Sequence, residues 1–80
     1  MLMNGLHIFI RPDKGSSEDN VFYSQRSHGP MYRWHYEKHL AEWHVARVDT
    51  SHWSSHEFCT ARWRSVPQGL KARLSEHYVE

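Results

Sequence analysis

One cluster of histidine and cysteine residues has the side chains of a metal site. His52, His56 and Cys59 lie within eight residues of one another, and imidazole and thiolate are ligands that zinc prefers. A structural zinc site needs four ligands, and the chain has no second cysteine. The fourth ligand would have to come from elsewhere, for example from His44 or His28. The alternative is that Cys59 packs inward as a small apolar residue.

The same cysteine has the chemistry of a nucleophile, but the sequence carries no motif that defines a reaction. A nucleophilic site would need Cys59 beside a base such as His44 or His56, together with a cleft for the substrate. A chain of 80 residues leaves little room for a cleft of the usual volume, about 300–1,000 Å³. We therefore expect a protein that is not an enzyme and that needs no cofactor.

Arginines interleaved with aromatic residues are a second chemical signal. The candidates are Arg33, Arg47, Arg62 and Arg64. Proteins that bind single-stranded nucleic acid stack bases on aromatic rings and pair arginine with phosphate. However, the formal net charge is only +1, and strand alternation would turn Trp63 away from the arginine on either side of it. A nucleic-acid-binding domain is therefore the alternative prediction.

The aromatic residues are the basis of the first functional prediction. Four tryptophans recur at intervals of nine or ten residues between positions 34 and 63. Tryptophan, tyrosine and arginine dominate the binding energy of protein interfaces. The residues predicted to contact a partner are Tyr32, Trp34, Tyr36, Trp43 and Trp53. The sequence thus predicts a protein-interaction module, which would be an adaptor, an inhibitor or the subunit of a homodimer. The opposite interpretation, in which every aromatic ring is part of the core, stays open.

The interval between tryptophans equals the length of one strand plus one turn, which favours a meander of short antiparallel strands. Period-two alternation predicts strands at 6–11, 31–37 and 57–64. A run of β-forming residues predicts another at 21–26, and 43–48 is expected to return as the hairpin partner of 31–37. In the segment 31–37, Tyr32, Trp34 and Tyr36 share one face. A single helix over 31–48 is the rival interpretation, because 38–42 lacks the Gly, Asn or Asp that a tight hairpin normally contains.

Residues 66–79 are predicted to form an amphipathic helix. Pro67 suits the start of a helix, and Ser65 with Gln68 three residues later fits a capping box. The predicted apolar face consists of Leu70, Leu74, His77 and Tyr78. A helix of this length is marginal in water on its own, so it must pack on the sheet.

The predicted fold class is α+β, with a small antiparallel β-meander of three to four strands and one C-terminal helix packed on one face. We expect one domain over residues 1–80 with a flexible polar loop at 12–20, which would leave strand 6–11 as an open edge. The longest apolar run has three residues, so neither a signal peptide nor a membrane span is expected. With one cysteine and hence no internal disulfide, the sequence predicts a cytoplasmic protein.

Overall fold

The computed structural model describes residues 5–11, 20–49 and 58–79. These residues form a five-stranded antiparallel sheet followed by one helix. The strands are β1 (Leu6–Ile10), β2 (Val21–Arg26), β3 (Met31–Glu37), β4 (Glu42–Val48) and β5 (Cys59–Thr60), and a 3-10 turn (Trp63–Ser65) leads into helix α1 (Gln68–His77). The predicted α+β class with a C-terminal helix is confirmed. A strand forms in each of the five segments predicted from the residue pattern, so the sheet has one strand more than the three to four predicted for the meander.

The strands lie in the order β4-β3-β2-β1-β5, so β5 returns to pair with the first strand. The Ala61 N–H donates to the Ile8 carbonyl oxygen at 2.8 Å. The prediction that residues 6–11 form an open edge is therefore wrong, because β1 is paired on both sides. Within the described part of the chain, the edges of the sheet are the seven-residue β4 and the two-residue β5.

The last strand is shorter than the predicted 57–64. Only Cys59 and Thr60 belong to it, and the chain then leaves the sheet edge. Beyond it, the Trp63 ring lies against the helix-side core, with the Lys71 ammonium 5.6 Å from the ring centre.

Residues 31–48 form a hairpin, as the preferred interpretation predicts, and not one helix. Strands β3 and β4 pair along their whole length, with Tyr36 opposite Trp43 and Trp34 opposite Val45. The loop between them, residues 38–41, closes without Gly, Asn or Asp because Ala41 takes a left-handed conformation with φ of +52°. Such a conformation costs an L-residue with a side chain roughly 1–2 kcal/mol.

The main core lies between the sheet and α1. Its buried members are Ile8, Phe22, Trp34, Trp43, Val66, Leu70, Leu74 and Tyr78. Leu70, Leu74 and Tyr78 come from the predicted face of the helix. His77 is exposed, but its ring lies 4.9 Å from that of Tyr32 and 5.3 Å from that of Trp34 between ring centres.

The predicted capping box does not form at the start of this helix. The cap position is Pro67, and it has no side-chain hydrogen bond. The Ser65 hydroxyl instead donates to the Arg62 carbonyl oxygen at 2.7 Å, within the 3-10 turn. Ser65 therefore ends the 3-10 turn, and Val66 and Pro67 lie between it and the first residue of α1.

A second apolar cluster covers part of the opposite face of the sheet. Val21, Tyr23 and Met31 are buried there, with Phe9, Val48 and Phe58 packed around them. The Tyr23 and Phe58 ring centres are 5.0 Å apart in an edge-on arrangement. Strand β2 is consequently buried on both faces at its start, which the sequence analysis did not predict.

Two further predictions concern the loop and the membrane. The predicted flexible loop at 12–20 lies outside the described residues except for Asn20, whose carbonyl oxygen accepts the Tyr36 N–H at 2.9 Å. Within the described ranges, no helix is long and apolar enough to cross a membrane.

Candidate functional site

The aromatic residues predicted to contact a partner lie mostly under α1. Trp34 has no accessible surface and Trp43 is 7% exposed, while Tyr32 and Tyr36 are partly buried beside them. Trp53 lies outside the described residues. The structure thus brings four of the five together on one face, where the two tryptophans form part of the core.

A buried serine organises the centre of this face. The Trp34 indole N–H donates to Ser24 Oγ at 2.8 Å, and Ser24 Oγ is also hydrogen-bonded to the Tyr78 hydroxyl at 2.9 Å. Ser24 has no accessible surface. Burial is the main cause that raises the pKa of Tyr78 above its ordinary value of 10.0. The two buried hydrogen bonds join β2, β3 and the end of α1, which indicates that this triad has a structural role.

The predicted metal cluster is only partly covered by the structure. His52 and His56 lie outside the described residues, and Cys59 is an exposed free thiol in β5. His44, which was considered both as a fourth ligand and as a base, is in β4 at the opposite edge of the sheet. Among the residues that the structure describes, no group of three His, Cys, Asp or Glu side chains is placed to hold a metal ion.

The four arginines predicted for nucleic-acid binding are all exposed but do not share one surface. Arg33 pairs with Ala46 and Arg47 pairs with Tyr32, so these two arginines point to opposite faces of the sheet. Arg62 and Arg64 flank Trp63 in the connection to α1. The arrangement therefore lacks a continuous basic track across one sheet face.

The outer edge of β4 carries backbone hydrogen-bonding groups with which no described strand pairs. In an antiparallel ladder, a residue directs its N–H and C=O to the same side, and successive residues alternate. The Tyr36 N–H is directed to β2, so the backbone groups of its neighbours His35 and Glu37 are directed to β4. Their partners in β4, His44 and Glu42, direct their own N–H and C=O groups to β3. The N–H and C=O groups of Trp43, Val45 and Arg47 therefore point away from the sheet, and no strand among the described residues pairs with them.

An open groove runs beside this edge. Its volume is about 550 Å³, and its lining consists of Glu42, Trp43, His44, Val45 and Arg73. Trp43 and Val45 belong to the helix-covered face, whereas Glu42 and His44 belong to the other face. Because residues from both faces line it, the groove wraps around the edge rather than lying on one surface.

The side chains around the β4 edge carry both signs of charge. His44 Nε2 lies 2.9 Å from Glu42 Oε1 on one face. Arg73 of α1, which also lines the groove, is paired with Glu76. Arg47 is exposed at the far end of the strand. We call Trp43, Val45 and Arg47, with their outward backbone groups and the adjoining groove, the β4 edge site.

Val45 and Arg73 are residues of the candidate site that were not predicted from the sequence. No single-residue signal marks either of them, because the site depends on which strand lies at the edge. That order could not be read from the alternation pattern, since the return of β5 to β1 is a long-range pairing.

Comparison of the chain with protein-family models, with curated proteins and with solved structures finds no match.

Proposed function

We propose that the protein is a small non-enzymatic protein-interaction module whose partner adds a strand to β4. The observation that carries the proposal is a seven-residue edge strand with three outward-facing residues and a groove along it. Strand addition is a common mode of recognition in which the backbone supplies affinity and the flanking side chains supply specificity. Natural proteins usually protect such an edge, and β4 contains neither proline nor a bulge in its pairing with β3.

The burial of the aromatic residues supports an edge site over a purely aromatic surface. Trp34 is inaccessible to a partner in the folded state. Trp43 is mostly buried but lines the groove, so it is the member of the predicted set that an added strand would contact first. Its ring packs against Phe22 and Tyr36, with centre distances of 6.1 and 5.2 Å, and is therefore held in a fixed position.

Nucleic-acid binding remains the alternative, with less support. Arg33 and Arg47 face opposite sides of the sheet, whereas a single-stranded nucleic acid follows one charged and aromatic groove.

We also propose that the protein acts in the cytoplasm, since Cys59 is exposed and unpaired and reducing compartments preserve such thiols.

The test uses two proline variants at opposite edges of the sheet. Val45→Pro removes an outward N–H from β4 and leaves the β3–β4 hydrogen bonds in place, because Val45 points away from β3. Thr60→Pro is the matched control: Ala61 donates to β1, so its neighbour Thr60 points outward from β5. Proline is tolerated in edge strands where its nitrogen faces solvent.

A displayed library of random linear peptides, selected on the wild-type protein, provides the probe. We expect the selected peptides to bind wild type and Thr60→Pro equally and to lose binding to Val45→Pro. Peptide binding should also slow amide hydrogen exchange at Trp43, Val45 and Arg47, measured by NMR. Peptides that bind Val45→Pro as well as wild type would contradict the proposal, provided that circular dichroism shows the variant to be folded.

A further inference from the structure

The β4 edge is complementary to itself. From the outward direction of Trp43, Val45 and Arg47, we infer that the partner is a second copy of this chain, paired through antiparallel β4 strands about a two-fold axis at Val45. This inference rests on the proposed interaction function and names its partner. The two five-stranded sheets would then form one sheet of ten strands.

The register follows from geometry. A two-fold axis perpendicular to the sheet keeps each face continuous, so the two residues of a pair must belong to the same face. With Val45 opposite Val45 of the second copy, all seven residues of β4 are paired. Trp43 then lies opposite Arg47 of the second copy, and these outward-facing residues form hydrogen-bonded pairs that each exchange two N–H to C=O bonds.

The side chains fit this register. Arg47 of one copy lies beside Trp43 of the other, where a guanidinium can interact with the indole ring, and two β-branched valines meet at the axis. On the other face His44 lies opposite Ala46, and Glu42 lies opposite Val48. No pair of like charges is directly opposed, which favours strand pairing.

Neighbouring registers fit less well. A shift that places His44 opposite His44 leaves Arg47 and Val48 without partners inside β4. The opposite shift places Ala46 opposite Ala46 and leaves Glu42 and Trp43 without partners inside β4. Both shifts also separate Arg47 from Trp43, because the residue opposite Trp43 becomes Val45 or Asp49. Pairing about Val45 therefore gives the longest overlap and the only cation–aromatic pair among these three registers.

The charges near the axis do not oppose this arrangement. Arg47 of the second copy, opposite Trp43, would approach the groove, which Arg73 also lines. The Arg73 guanidinium is already paired with Glu76, so the incoming arginine meets an ion pair rather than an isolated cation. One strand per subunit buries less surface than the about 1,200–2,000 Å² of stable complexes, and we therefore expect a weak, concentration-dependent dimer.

Native mass spectrometry and sedimentation equilibrium of the untagged full chain, at concentrations up to about 1 mM, test the inference. We expect wild type and Thr60→Pro to dimerise and Val45→Pro to stay monomeric with an unchanged circular dichroism spectrum. A wild-type protein that is monomeric throughout this range would overturn the inference, as would a folded Val45→Pro that dimerises like wild type.

A cysteine pair tests the register without relying on proline. In a Cys59→Ser background, Val45→Cys would place two thiols opposite each other at the axis, within the Cα separation that a disulfide accepts. Mild oxidation should cross-link this variant at least about tenfold faster than Thr60→Cys in the same background, because dimerisation raises the local thiol concentration. Equal rates would overturn the inference.

Two results separate this inference from the proposed function. A monomeric wild type that still binds selected peptides through β4 would remove the homodimer and keep the interaction module. A monomeric wild type whose selected peptides bind Val45→Pro equally would contradict both.

Discussion

Among single residues, Ser24 has the most connected side chain of the core. Its hydroxyl oxygen accepts the Trp34 indole N–H and shares a hydrogen bond with the Tyr78 hydroxyl, and no buried side-chain polar atom of the described residues lacks a partner. A buried polar group that loses its partner costs about 1–3 kcal/mol. The triad is therefore sensitive to the loss of one oxygen atom.

We expect Ser24→Ala to lower the free energy of unfolding by about 1–3 kcal/mol, because the indole N–H of Trp34 and the hydroxyl of Tyr78 both lose a buried partner. Urea denaturation measures the change. Ser65→Ala is the control, since the Ser65 hydroxyl is exposed and bonds within one turn, and its effect should stay within about 0.5 kcal/mol. A loss for Ser24→Ala as small as that of the control would contradict this account.

Tyr78 is expected to make the free energy of unfolding fall at alkaline pH. Burial raises the pKa of this hydroxyl above 10.0, and the proximity of Tyr32 raises it further, while the bond to Ser24 and the charge of Arg26 lower it. Above pH 10 the unfolded chain releases the Tyr78 proton and the folded chain keeps it. The unfolded state then binds fewer protons, so stability falls as pH rises.

We therefore expect wild type to lose stability above pH 10 more steeply than Tyr78→Phe does, by up to about 1.4 kcal/mol per pH unit. The difference in unfolding free energy between the two proteins should be constant from pH 7 to 9 and should shrink above pH 10. Denaturant titrations across this range measure it. A difference that stays constant to pH 11 would show that Tyr78 ionises alike in both states.

At the scale of elements, two glycines differ in the space available for a side chain: one lies in a helix and the other in a turn. Gly69 lies in the first turn of α1, where an added Cβ would meet Trp43 Nε1 at 3.4 Å, an ordinary contact. Gly29 lies between β2 and β3, where an added Cβ would lie 2.7 Å from the Arg26 carbonyl oxygen. The Gly29 N–H donates to that same oxygen, so the backbone could relieve the clash only by disturbing this hydrogen bond.

We expect Gly69→Ala to raise the free energy of unfolding by about 0.5–1 kcal/mol, because alanine loses less backbone freedom in a helix. Gly29→Ala should lower it by about 1–3 kcal/mol through the clash with Arg26. Thermal and urea denaturation of the two variants together measure the contrast. The same sign for both would mean that local space does not decide the effect of a methyl group at these positions.

The elements also show which parts of the fold are predictable from sequence. Alternation predicts β3 because Tyr32, Trp34 and Tyr36 share the helix-covered face, and β4 follows as its hairpin partner. The burial of Met31 on the other face is not visible in that pattern. The hairpin loop was ambiguous because Ala41 takes a conformation that its residue type does not indicate. The extent of β5 and the identity of the edge depend on pairing between distant residues, for which local pattern carries no signal.

The candidate site was predictable in its chemistry but not in its place. Trp43 was identified from its residue type, and it lines the groove. Val45 and Arg73 were not, because an edge strand becomes a site only through the order of the whole sheet. Conversely, Trp34 looked like an interface residue, although its indole N–H is used inside the core.

At the scale of the whole molecule, the proposed dimer would link the stability of the fold to the protein concentration. If only the folded state dimerises, mass action stabilises it as the protein concentration rises. We expect the thermal midpoint to increase by about 3–6 °C per tenfold increase in concentration once the dimer is populated. Scanning calorimetry measures this, with Val45→Pro as the control whose midpoint stays constant. A constant midpoint for wild type over the range in which sedimentation detects dimers would contradict the linkage.

The position of α1 at residues 68–77, after every strand of the sheet, has a consequence for biosynthesis. As the chain is made, β1 to β4 leave the ribosome first, and the aromatic face around Trp34 meets water without its cover. Leu70 and Leu74, which seal that face, arrive last. Nascent chains therefore expose an apolar surface that chaperones bind. A product truncated before residue 70 would keep this surface exposed, and we expect it to aggregate or to be degraded.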